Sequence, residues 1–101
     1  VTADRMDEAL FLDCLQRADA FREAGAGDRS LWIGYRNGLR RRQFGEEFGT
    51  EGQHRFRLSI PGDHPDPSHR AYGIGYRAGF RGEDPAALIG RRAGSVAGEK
   101  A

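Results

Sequence analysis

The stretch Arg29-Ser30-Leu31-Trp32-Ile33-Gly34-Tyr35-Arg36-Asn37-Gly38-Leu39-Arg40 returns 41 positions later as Arg70-Ala71-Tyr72-Gly73-Ile74-Gly75-Tyr76-Arg77-Ala78-Gly79-Phe80-Arg81. Seven of the twelve positions are identical, which marks an internal repeat in so short a chain. At about 100° per residue, Arg29, Arg36 and Arg40 fall on one narrow helical stripe, and Arg70, Arg77 and Arg81 on its equivalent. The opposite face holds Gly34 and Gly38 beside Leu31, Tyr35 and Leu39, or Gly75 and Gly79 beside Tyr72, Tyr76 and Phe80. A glycine inside a helix costs up to about 1 kcal/mol relative to alanine, so two per helix need a packing reason. Small residues four apart let a second backbone approach closely. The two repeats are therefore expected to pack on each other as a pseudo-symmetric helix pair.

Outward from the repeats, the rest of the chain reads as helix and loop. Met6, Leu10, Phe11, Cys14, Leu15, Ala18 and Phe21 recur at three- and four-residue spacing, the pattern of an amphipathic helix. Thr2 can cap it, with Asp4 and Asp7 in its first turn, and it stops near Gly25. This acidic helix is expected to cover the apolar surface that the repeat pair leaves open. Asp28 caps a second helix that runs through the mid-forties. The alternation in Arg55-Phe56-Arg57-Leu58-Ser59-Ile60 predicts a short extended segment, and Pro61 to Pro67 must form a loop. Asp66-Pro67 starts a third helix that ends at Gly82, and Asp84-Pro85 starts a short fourth over residues 85–92. The expected fold is all-α, a small bundle of three main helices plus a short C-terminal one. It forms a single domain over residues 1–92 with a flexible tail at 93–101.

Composition sets bounds on this reading. A chain of 101 residues has room for one modest core, burying about two-thirds of the surface its unfolded form exposes. Six Phe, three Tyr and one Trp carry much of that core. One cysteine, Cys14, forms no intramolecular disulfide, so a cytoplasmic location is expected. No apolar run spans a bilayer and no leader-like segment precedes the first helix, so no membrane partner is expected. Because the chain starts at Val1 rather than Met, processing or trimming upstream is expected.

Net charge is only +1, but it is unevenly spread. Residues 1–28 carry three basic against seven acidic side chains, whereas residues 29–57 carry seven against three. The arginine-rich blocks coincide with the repeats, and arginine binds phosphate and carboxylate in a planar, bidentate way. Arg29, Arg36, Arg40, Arg41, Arg42, Arg70, Arg77 and Arg81 are the candidate macromolecule-binding residues. They read either as solvated helix faces, partly neutralised by the acidic first helix, or as a surface for phosphate or acidic protein. Arg40-Arg41-Arg42 with Trp32 and Phe44 could combine guanidinium contacts with base stacking, unless both aromatics are core.

The segment AYGIGYRAGFRG resembles the Gly-rich first helix of ribosome modulation factor-like proteins, and WIGYRNG is similar to their tryptophan-bearing second helix. The motifs stand here in reversed order and without the Pro-Tyr connector. The matching positions are Gly75, Tyr76, Arg77, Ala78, Gly79, Gly82, Trp32, Gly34, Tyr35 and Arg36. The resemblance implies binding to small-subunit ribosomal RNA near its 3′ end and no catalysis.

Residues that could carry other chemistry are few. Asp63, His64, Asp66 and His69 lie close together, with His54 upstream, and imidazole plus carboxylate could hold a divalent ion. Their spacing fits no established metal motif, and Asp66 and His69 already serve as helix cap and first-turn residue. Cys14 sits on an apolar helix face, where a thiol is inert packing. Glu46, Glu47 and Glu51 follow an arginine run and suit i,i+4 pairing better than acid–base work. No phosphate loop, nucleophile elbow or dinucleotide fingerprint is present. The sequence thus leads to a small non-catalytic binding protein without a cofactor. It would dock onto a larger protein or ribonucleoprotein as an adaptor, accessory subunit or inhibitor, for instance one from a mobile element. The alternatives are an RNA- or ribosome-binding regulator acting through the arginine stripes, and a small metal-binding protein acting through the His/Asp loop.

Overall fold

A computed structural model describes residues 5–89. Four α-helices follow one another: α1 (Glu8–Glu23), α2 (Arg29–Phe44), α3 (Glu51–Leu58) and α4 (Pro67–Phe80), with a 3-10 turn at Gly45–Phe48. Residues 85–89 begin a further helical turn. The rest of the expected 85–92 helix, the tail at 93–101, and Thr2 and Asp4 lie outside the described residues. The described chain is all-α, as expected, and contains no strand.

The caps explain the helix starts. Asp28 accepts the Ser30 N–H at 2.8 Å, and Asp66 accepts that of Ser68 at 2.9 Å with Pro67 as first helical residue. For α1 the capping residue is Asp7 itself, whose carboxylate accepts from Leu10 N. Asp7 therefore precedes the helix instead of lying in its first turn. Gly45 at φ 63° and Gly82 at φ 72° end or follow α2 and α4 in backbone conformations that a side chain would strain.

The extended segment expected at 55–60 is instead the second half of α3 and its exit. Thr50 and Gln53 form a reciprocal capping box, each side chain bonding the other's backbone N–H. The same residues then obey the helical period rather than alternation. His54, Arg57 and Leu58 turn inward, three and four apart, and Phe56 is left outside.

Among the described residues the α2–α4 contact is the largest between helices. A Cβ added to Gly34 would fall well under 3.0 Å from the carbonyl oxygen of Tyr72, and one added to Gly75 equally close to that of Leu31. One turn on, Gly38 meets the Tyr76 carbonyl and Gly79 that of Tyr35 in the same way. The contacts are reciprocal between repeat-equivalent positions and advance in the same direction along both helices. The repeats therefore form a parallel pair with local two-fold symmetry, and α3 with the proline loop carries the chain back between them. Asn37 Nδ2 donates to Tyr72 Oη across the pair at 2.9 Å.

The two flanks of this pair are covered differently. On one side α1 runs antiparallel to α2, with Phe11 against Phe44, Asp19 against Arg36 and Phe21 against Trp32. Phe11, Cys14 and Ala18 pack with Leu31, Trp32, Tyr35 and Leu39 in one core. Trp32, Tyr35, Leu31 and Leu39 are 0–1% exposed, and each contributes about 1.5–3 kcal/mol through burial. On the other flank α3 and Ile60 take the place of α1. Where α2 carries Trp32, α4 carries Gly73, and Ile60 closes directly onto it.

Candidate functional site

The arginine stripes are largely used within the fold. Arg36 Nε forms an ion pair with Asp19 Oδ1 of α1 at 2.8 Å, both atoms shielded from water. Its repeat equivalent, Arg77, donates from Nη1 to the carbonyls of Ile60 at 2.6 Å and Leu58 at 3.2 Å. The two residues thus have the same task on opposite flanks, each tying a repeat helix to the segment that covers it. Burial, followed by the nearby Arg81, lowers the Arg77 pKa from its usual value.

The other candidates divide in the same manner. Arg41 is 6% exposed and donates to the Gly49 carbonyl at 3.0 Å and to Glu51 Oε1 at 2.7 Å. Arg42 donates to the Phe80 carbonyl at 2.9 Å, closing the end of the α2–α4 pair, and Arg70 to the His64 carbonyl at 2.9 Å. Arg81 bonds Glu83 at 2.6 Å but keeps half its side chain exposed. Arg40 lies over the Phe48 ring, 5.8 Å from its centroid. Arg29 lines a shallow cleft with Arg22, Glu23, Gly25 and Gly27 at the α1–α2 turn. Trp32 is fully buried, whereas Phe44 is 41% exposed and packs edge-on against Phe11, so Arg40, Arg41, Arg42 and these two aromatics do not form one stacking platform.

The His/Asp residues do not converge. His54 faces inward, its Nδ1 2.8 Å from Tyr76 Oη and its ring 4.5 Å from that of Phe80. His64 of the loop and His69 in the first turn of α4 stack at 5.1 Å; Asp66 N–H donates to His64 Nδ1, and Asp66 Oδ2 lies 2.9 Å from His69 Nδ1. His69, then the Ser68 amide, holds the Asp66 carboxyl below its usual pKa. Among the described residues no three His, Cys, Asp or Glu side chains are gathered to hold a metal ion. Cys14 is 2% exposed, and burial pushes its thiol pKa up. Tyr35, beside it, is held protonated by burial well above the usual phenol range and donates to the Glu83 carbonyl.

A surface not legible from the arginine stripes lies on α3. Phe56 is 68% exposed, the most of any large apolar side chain described, and the neighbouring Arg55 side chain is 75% exposed. Arg57 lies over the Tyr76 ring at 5.7 Å, and Glu51 pairs with Arg41 and Arg55. The Thr50-x-x-Gln53 box was the sequence signal for this arrangement. It makes residues 51–58 helical, which puts Phe56 about 200° from the inward-facing His54.

No known protein family matches this chain, and no curated protein or solved structure does either. Among the described residues no helix is long and apolar enough to cross a membrane.

Proposed function

We propose that this is a non-catalytic binding protein that docks onto a larger protein or ribonucleoprotein, as an adaptor, accessory subunit or inhibitor, with Arg55 and Phe56 at the centre of its contact face. The observation that carries the reading is the side-by-side exposure of these two residues on a helix whose other face is anchored. Aromatic and arginine side chains are the residue types that dominate interface energies. A protein contact is favoured over RNA because Arg36, Arg41, Arg42, Arg70 and Arg77 already bond groups within the chain. Arg29, Arg40 and Arg81 remain the stripe residues best placed for a phosphate backbone.

Co-purification from the native host, with and without ribonuclease, tests this. A protein contact predicts one specific partner that survives nuclease and is lost from an Arg55→Ala/Phe56→Ala variant of unchanged melting temperature. Retention of the partner by that variant would overturn the docking face. Release by nuclease, together with affinity that falls steeply with salt, would instead establish the RNA reading, including the ribosomal one.

A further inference from the structure

We infer that α3 is an acid-released element: protonation of His54 drives it from its seat against Tyr76 and Phe80 and so uncouples the Arg55–Phe56 face that it carries. The regulatory consequence rests on the docking reading above; the release itself does not.

His54 is the sole buried residue of α3, at 8% exposure. Its ring leans on Phe80 and its Nδ1 meets the Tyr76 hydroxyl. The charged groups acting on it are Arg41 from α2 and Arg57 and Glu51 from α3, while α4 presents the neutral Tyr76 phenol. The Glu51 carboxylate is already shared, 2.7 Å from Arg41 and 3.8 Å from Arg55. A proton on His54 would therefore set three cations against one occupied carboxylate in a poorly hydrated site, which is costly unless the ring moves into water. Burial, followed by Arg41, already holds the imidazole below its ordinary pKa.

The rest of the fold allows such a movement. α3 has eight residues, too few to be stable as an isolated helix. It is flanked by Gly49 at φ 110° on one side and by Ser59 and the proline loop on the other. Its other described ties are Arg41 to Gly49 and Glu51 at the start, Arg57 over the Tyr76 ring, and, at the end, Arg77 to the carbonyls of Leu58 and Ile60, with Ile60 packed on Gly73. The α2–α4 glycine contacts involve no residue of α3, and where they use Tyr76 and Phe80 they meet main-chain atoms, whereas His54 meets the side chains of those two residues, so the helix pair can persist while α3 leaves.

Amide hydrogen exchange on the whole chain, corrected for intrinsic rates, at about pH 7.5 and about pH 5 tests the inference. Protection of residues 51–58 should fall, by up to about tenfold per pH unit below the ordinary imidazole pKa, while α2 and α4 keep theirs. The loss should follow the His54 ring titration measured by NMR. It should vanish in His54→Gln, which keeps a hydrogen-bonding partner for Tyr76 but cannot gain a proton, and persist in His64→Gln/His69→Gln. If His54→Gln itself unseats α3 at both pH values, coincidence of the wild-type amide and ring midpoints decides the matter, and separate midpoints overturn the inference. Unchanged α3 protection in acid, or equal loss in a seated His54→Gln, also overturns it. Either result leaves the docking face standing, whereas loss of the docking reading would leave the exchange result intact.

Discussion

Gly75 of α4 lies so close to the main-chain carbonyl of Leu31 in α2 that a single added methyl group has nowhere to go. The obstacle is backbone, which cannot swing aside as a flexible side chain would. Gly52, also helical, has only Thr50 Oγ1 near its open side, at 3.9 Å. The same substitution should therefore have opposite signs. Gly75→Ala or Gly38→Ala should cost about 1–3 kcal/mol or more by forcing the helices apart, whereas Gly52→Ala should stabilise by up to about 1 kcal/mol through helix propensity. Chemical denaturation of the three variants provides the check; equal effects would contradict the close parallel pairing.

Arg36 and Arg77 should behave as structural ties. Replacing either with alanine strands a partly buried carboxylate or two carbonyls and should cost about 1–3 kcal/mol. Arg29→Ala, at the exposed turn, should stay within about 0.5 kcal/mol. A helix face that is merely solvated would make all three changes neutral in a denaturation series.

Stability should fall on both sides of neutrality. His54 has a folded-state pKa below its ordinary value of about 6.5. As pH falls the unfolded chain takes up that proton first, so stability is full above about pH 6.5 and declines below it. Burial raises the phenol pKa values of Tyr35 and Tyr76 in the folded chain. Above about pH 10 the unfolded chain loses those protons first, so stability is full below that point and declines above it. Melting temperatures across the range should show both limbs, with His54→Gln flattening the acid one and Tyr76→Phe reducing the alkaline one.

The aromatic extremes should separate folding from binding. Trp32 is fully buried and donates to the Ala26 carbonyl at 3.1 Å, so Trp32→Ala should cost about 3–5 kcal/mol. Phe56→Ala should change stability by no more than about 0.5 kcal/mol while weakening partner capture. A large loss of stability in Phe56→Ala would mean that it packs in the fold rather than facing a partner.

Cys14 should react with an aromatic disulfide reagent only as the fold opens, because its thiol is buried and its pKa is raised chiefly by that burial. Rapid labelling of the native protein at neutral pH would show that α1 does not seat this thiol against α2 as described.

The repeat, its two-faced helices, the reason for its glycines, the Asp28 and Asp66-Pro67 starts and the proline loop were all determined by the sequence alone. Each depends on helical period, capping chemistry or excluded backbone angles, which act over a few residues. The fate of the arginines was decided only by tertiary structure. A guanidinium on a long side chain bonds whatever surface arrives beside it, and Asp19, Gly49, Ile60 and Phe80 arrive from other segments. The conformation of residues 55–58 was settled by a neighbouring cap and by the seat that Tyr76 and Phe80 offer His54, neither of which local alternation records. That seat turns one face of α3 inward and leaves Phe56 outside, so the surface assigned to binding is a product of packing rather than of the repeat that builds the fold.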